Sequence, residues 1–143
     1  MKIYTDGSTR PTNPGPGGYA VVICDDEENV LGTYTHYEDY TTNNRMELKA
    51  ILYTMLFYGK EEPIVYSDSA YSINIFTNWM FGWARNGWVK SDGNPPENLD
   101  IIQAFYDLYQ KGYRIDLRKV KGHSGNKGNE LADKLATARK EQK

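Results

Sequence analysis

The stretch Asn43–Tyr58, NNRMELKAILYTMLFY, constrains this chain more than any other. Leu48, Ile51, Leu52, Met55 and Leu56 recur at helical spacing and form one apolar stripe, which predicts an amphipathic helix ended by Gly59. Beyond it, Ile64–Ser67 is a short β-rich run, and before it lie three more such runs. A helical crossover returns the chain alongside its starting strand in the same direction. The run at 64–67 is therefore expected to lie parallel to the strand at 2–6.

The other segments complete a mixed sheet. The runs at 2–6, 19–24 and 30–37 predict a three-strand antiparallel meander, with NPGPGG at 13–18 read as a turn and DDEEN at 25–29 closing a hairpin. Helices are expected at 70–79, 98–111 and 126–140, and a fifth strand at 114–120. The prediction is an α/β fold, with five strands flanked by helices. The chain has 143 residues, 39% of them apolar and 25% charged, which suits one globular domain over 1–143. No apolar run reaches bilayer-spanning length and the N-terminus lacks a signal-peptide pattern, so a soluble cytoplasmic protein without a membrane partner is expected. The single cysteine, Cys24, excludes an internal disulfide and a cysteine-based zinc site and reads as a small core residue. Net charge is −2, yet residues 1–110 carry 7 basic and 15 acidic side chains while residues 111–143 carry 10 and 4. The basic end reads either as a solvated helix tail or as an edge that faces a polyanion.

Two of the strands end alike: KIYTDGS at 2–8 and IVYSDSA at 64–70 each run into an aspartate. Asp6 and Asp68 thus fall at the carboxyl ends of two neighbouring parallel strands, the edge where open α/β sheets bind ligands. Taken singly, Asp68 reads as well as a cap for the helix at 70, and Asp6-Gly7 as a turn. Glu47 sits in the first turn of its helix at the border of the apolar stripe, and Asp133 in the first half of the last helix. Their simpler readings are dipole support and a surface acid. Four carboxylates converging on one point repel unless cations lie between them. All-oxygen ligands point to Mg2+ or Mn2+, and two such ions about 4 Å apart can clamp a phosphodiester.

The segments YTDGS with NPGPGGYA, TTNNRMEL, YSDSAY and VKGHSGNKGNELADKLA resemble type 1 ribonuclease H of the bacterial kind, in order and spacing, over essentially the whole length. The resemblance implies a ribonuclease H-like fold. It further implies an endonuclease that hydrolyses the RNA strand of an RNA–DNA hybrid by two-metal-ion catalysis, leaving 5′-phosphate and 3′-hydroxyl ends. Asp6, Glu47, Asp68 and Asp133 match the family's metal-binding acids, with Mg2+ expected and Mn2+ as a substitute. His123, in KGHSG, matches a loop histidine that assists proton transfer or product release, a task suited to a group titrating near pH ~6.5.

The same resemblance assigns the substrate. Asn13, Asn43 and Asn44 match residues lining the hybrid's minor groove, and Thr42 and Asn98 match a pocket for a phosphate of the DNA strand. Residues 79–97 match a protruding handle, here with Trp83, Arg85, Trp88 and Lys90. By composition alone, those tryptophans read first as core packing. The handle holds only two basic residues, Tyr40 and Ala70 replace an arginine and a glutamine found in some relatives, and the loop at 8–12 is one residue longer. A monomer acting in DNA replication is expected. The rival readings are a non-catalytic hybrid-binding module and a DNA-directed nuclease of the same superfamily.

Overall fold

The computed structural model describes residues 1–120 and 126–138. Strands β1 (Lys2–Thr9), β2 (Gly15–Cys24) and β3 (Val30–Thr41) form the expected antiparallel meander. Helix α1 (Asn43–Tyr58) carries the chain to β4 (Ile64–Ser67), which pairs parallel to β1. A continuous helical stretch follows: α2 (Ala70–Asn74), one π-helical turn (Ile75–Trp79) and α3 (Met80–Arg85). Helix α4 (Leu99–Gln110) leads to β5 (Asp116–Lys119), parallel to β4, and α5 (Lys127–Thr137) ends the described chain. The sheet order is β3-β2-β1-β4-β5.

Strand alternation sorts the core onto two faces. Ile3, Val21, Ile23 and Val65 meet Met46 and Ala50 of α1 on one side. Tyr4, Val22 and Cys24 meet Ala132 of α5 on the other, with the Tyr4 and Tyr66 rings stacked at 4.9 Å. Both faces being covered, β1 is buried from Ile3 to Asp6 without a break. A third apolar cluster joins Leu48, Ile51 and Met55 of α1 to Ile75, Phe76 and Met80 of the second helical stretch and Ile101, Ile102 and Phe105 of α4.

Several expectations need correction. NPGPGG is not all turn, because β2 already starts at Gly15. A Cβ at Gly17 would stand 2.7 Å from the Ser8 carbonyl oxygen, so the glycines allow a tight pairing that other residues would block. The earlier start of β2 gives β3 a partner out to Thr41, through Gly15↔Thr41, and lengthens it. The helix expected at 70–79 runs on through Gly82 to Arg85 and stops before Gly87, whose φ is 72°. β5 is shorter than expected. Leu56 is 49% exposed: α1 turns Met46, Ala50 and Thr54 to the interior, which leaves Leu56 at the rim.

Candidate active site

Register brings the first two acids together. Tyr4 of β1 pairs with Tyr66 of β4, and two residues beyond each stand Asp6 and Asp68. The simpler readings of these acids fail on geometry. Ser69, not Asp68, caps α2, its hydroxyl accepting from the Ser72 N–H at 3.1 Å. Asp6-Gly7 is no turn, because β1 continues to Thr9. Glu47 arrives from α1, and Gly7 makes room for it. A Cβ on Gly7 would lie 2.4 Å from the Glu47 backbone nitrogen, so only glycine lets α1 start this close to β1.

One carboxylate oxygen from each of Asp6, Glu47 and Asp68 lies within 4.8 Å of the others. Asp6 is 6% and Glu47 9% exposed, while Asp68 opens to solvent. Asp133, on α5, is exposed and stands outside this close group of three, though its negative charge is felt by Asp6. Burial first, then the charge of Asp68 and then Asp133 push Asp6 up to about 8, against the Gly7 N–H that donates to it at 2.9 Å. Burial, with Asp6 and Asp68 adding to it, raises Glu47 well above the usual carboxylate range. Glu47 Oε1 is buried and accepts no hydrogen bond among the described residues. Leaving such an oxygen bare costs about 1–3 kcal/mol or more. Crowded carboxylates, a bare buried oxygen and an all-oxygen donor set together fit a hard divalent cation. His123 lies outside the described residues.

The RNase H family profile matches residues 1–141. The ribonuclease H of Caldanaerobacter subterraneus is 42% identical over 139 residues, covering 96% of this chain and 88% of its own. That of Mycolicibacterium smegmatis is 41% identical over 138 residues, 94% of this chain and 84% of its own. The chain belongs to the ribonuclease H family. As a ribonuclease H it is a hydrolase that cuts the RNA strand of RNA–DNA hybrids. The fold agrees: the PFV RNase H domain superposes with a TM-score of 0.81 at 25% identity, over 95% of this chain and 91% of that one.

Around the acids of this ribonuclease H, the candidate substrate residues fall into two groups. The first lies at the start of α1. Asn43 Oδ1 accepts from the Thr9 N–H at 2.6 Å and the Thr9 hydroxyl at 3.0 Å, and Asn13 Oδ1 accepts from the Asn43 N–H at 3.1 Å. Asn44 is exposed. Thr42 caps α1, accepting from the Arg45 N–H at 3.1 Å. Asn98 precedes α4 in the left-handed region (φ 62°) and accepts from Arg45 Nη1 at 3.3 Å. The Arg45 guanidinium also forks onto Asp100 at 2.9 and 3.1 Å, so one side chain ties the start of α1 to the start of α4. Sequence reasoning passed over Arg45, because its partners lie more than fifty residues away and no local pattern announces them.

The second group is the handle. Trp83 and Trp88 are half-buried against the α1–α4 cluster, and Trp88 meets Tyr106 edge-on at 5.3 Å. Trp79, Trp83, Arg85 and Lys90 line an open groove of about 590 Å³. Lys90 is 3.9 Å from Asp92.

Proposed function

We propose that Asp6, Glu47, Asp68 and Asp133 hold two Mg2+ ions, replaceable by Mn2+, at which the RNA strand is cut to leave 5′-phosphate and 3′-hydroxyl ends. Such ions supply an activated water and charge stabilisation at the leaving oxygen. Asp6 and Glu47, buried and held by β1 and α1, are the fixed donors, and Asp68 and Asp133 are the solvent-facing ones that meet water and substrate. The observation that carries this reading is the bare, buried Glu47 Oε1 within a cluster of carboxylates drawn together by strand register. His123 serves as the proton carrier.

Substrate choice rests on which groups the protein has already used. The side-chain oxygens of Asn13, Thr42, Asn43 and Asn98 all accept hydrogen bonds from the protein itself. Each residue therefore keeps its N–H2 or O–H as a donor. Donors at Asn13, Asn43 and the exposed Asn44 suit the 2′ oxygens of RNA. Donors at Thr42 and Asn98 suit a phosphate of the DNA strand. Trp83, Arg85, Trp88 and Lys90 of the handle at 79–97 contact that strand farther along. The chain acts as one domain and a monomer, in the cytoplasm; no described helix is long and apolar enough to cross a membrane.

The test is cleavage of an end-labelled RNA–DNA hybrid with Mg2+, beside Asp68→Asn. Cutting of the RNA strand alone, lost in the variant and with chelator, is the expected result. Hybrid bound but uncut in Mg2+ and Mn2+ would leave a binding module, and cutting of plain duplex DNA would make it a DNA nuclease.

A further inference from the structure

Helix α5 carries Asp133, whose negative charge is felt by Asp6 of β1. Like charges push the helix away from the strand, so other contacts must set where it lies. Tyr4 and Asp6 are two residues apart on β1 and so share a face, about 6.6 Å apart along the strand. Asn126, the cap of α5, and Asp133 are seven residues apart, which is close to two helical turns, or about 10.5 Å. The two acids meet at one end of this strand–helix pair, and Tyr4 meets Asn126 at the other.

That second contact is closely specified. The Tyr4 ring is buried and stacked on Tyr66, while its hydroxyl donates to the Glu28 carboxylate at 2.7 Å and accepts from Asn126 Nδ2 at 3.1 Å. Asn126 Oδ1 meanwhile accepts from the Asn129 N–H at 2.9 Å and caps α5. Serine, threonine or aspartate would cap as well, but asparagine alone caps and keeps an N–H2 that reaches the tyrosine. Phenylalanine would fill the Tyr4 ring site, so what the hydroxyl adds is these two hydrogen bonds. Glu28 comes from the turn at 25–29, accepts from Lys2 Nζ at 2.9 Å and holds a φ of 69°, a region that glycine enters more easily. A Cβ on Gly128 would strike the Tyr4 ring, so glycine lets the first turn of α5 come down onto the tyrosine. Farther along α5, the Tyr37 hydroxyl donates to the Leu135 carbonyl at 2.8 Å. Asp133 lies between the two ties.

We propose that Glu28, Tyr4 and Asn126 form a positioning chain that seats the start of α5 on β1, sets where Asp133 stands against Asp6, and so governs how tightly the acids hold divalent ions. The proposal rests on the reading of Asp133 as a metal-binding acid. All three residues act through Asp133 and not on the substrate. With the Tyr37 tie holding the far end, loss of the Tyr4 tie lets the start of α5 lift while the fold stays closed.

The test compares the parent with Tyr4→Phe, Asn126→Ser, their double variant and Asp133→Asn. Two quantities are followed: hybrid cleavage as a function of Mg2+ concentration, and amide hydrogen exchange along α5 in chelator. Tyr4→Phe keeps the ring and Asn126→Ser keeps the cap, so each removes the tie alone. Each should raise the Mg2+ concentration for half-maximal cleavage about fivefold, the scale of one hydrogen bond, with KM for the hybrid unchanged. The double variant should be no worse than either single one, since both break the same bond. Exchange at residues 130–133 should quicken while that of α1 stays as in the parent. An unchanged Mg2+ demand in Tyr4→Phe when Asp133→Asn raises it, or additive losses in the double variant, would make the tie ordinary packing and overturn the proposal. A parent-like Mg2+ demand in Asp133→Asn would instead remove the metal role of Asp133 beneath it, with α5 exchange still reporting whether the tie holds the helix.

Discussion

The acid cluster and the handle are built on opposite terms. At the cluster, burial and strand register hold like charges close: Asp6 and Glu47 are under 10% exposed and their oxygens lie within 4.8 Å of Asp68. At the handle, half-buried tryptophans stabilise the protein by packing, and its two cations border an open groove. The first region gives up stability for function, and the second serves both at once. Changes at the cluster should therefore separate activity from stability, and changes at the handle should move the two together.

The sharpest way to break that contrast is Glu47→Gln. Activity should fall about a thousandfold or more, a loss typical of removing a key charge-stabilising group. Melting in metal-free buffer at pH 8 should rise, because one of the crowded carboxylates is gone. A lower melting temperature there would mean that Glu47 supports the fold instead of straining it. Next in size is Gly7→Ala. Its methyl group collides with the α1 backbone at 2.4 Å, so both properties should drop, stability by about 1–3 kcal/mol. Urea unfolding and hybrid cleavage measured on one preparation would show it.

The acids also set a pH dependence. The folded pKa of Asp6 is raised to about 8 against an ordinary value of 3.8, so between these pH values the folded state holds a proton that the unfolded state has released. Stability without divalent ions should fall as pH rises from about 4 through about 8 and then level off. Glu47, raised in the same direction, adds to the effect. Asp6→Asn should flatten the profile, and Mg2+ should restore the lost stability at pH 8, by about 2.7 kcal/mol at a hundred times its dissociation constant. Melting curves at pH 5, 7 and 9, with and without Mg2+, test both signs; a flat metal-free profile counts against buried, mutually repelling acids. The smallest expected effect is at the handle. Trp88→Ala should cost about 1–2 kcal/mol, less than a fully buried aromatic, and raise KM severalfold with little change in kcat.

The parts of this protein most legible in its sequence are those where one residue type has a single physical solution. The apolar stripe at 48–55 and the short run at 64–67 leave only a crossover into a parallel pair, and the acids at the ends of its strands follow. The proline–glycine segment departs from its expected turn because glycine serves two ends, a turn or a close approach, and only the partner strand decides between them. The second helical stretch ran past its expected end because a π turn leaves no mark in local periodicity. Arg45 was invisible for a different reason. A long-range fork between the starts of two helices depends on tertiary placement, and its sequence looks like any arginine on a helix.

The parallel pairing of β1 with β4 covers only three positions, ending at Tyr4↔Tyr66, and the two aspartates extend that same alignment by two residues each. Since one strand residue advances about 3.3 Å and reverses the side chain, a slip of a single position would turn one acid away from the other. Metal affinity is therefore a gauge of strand alignment. A chain that has paired β1 and β4 one notch out of step is silent in catalysis even if its core is full, so insertions should be tolerated in the hairpins and not within these two strands.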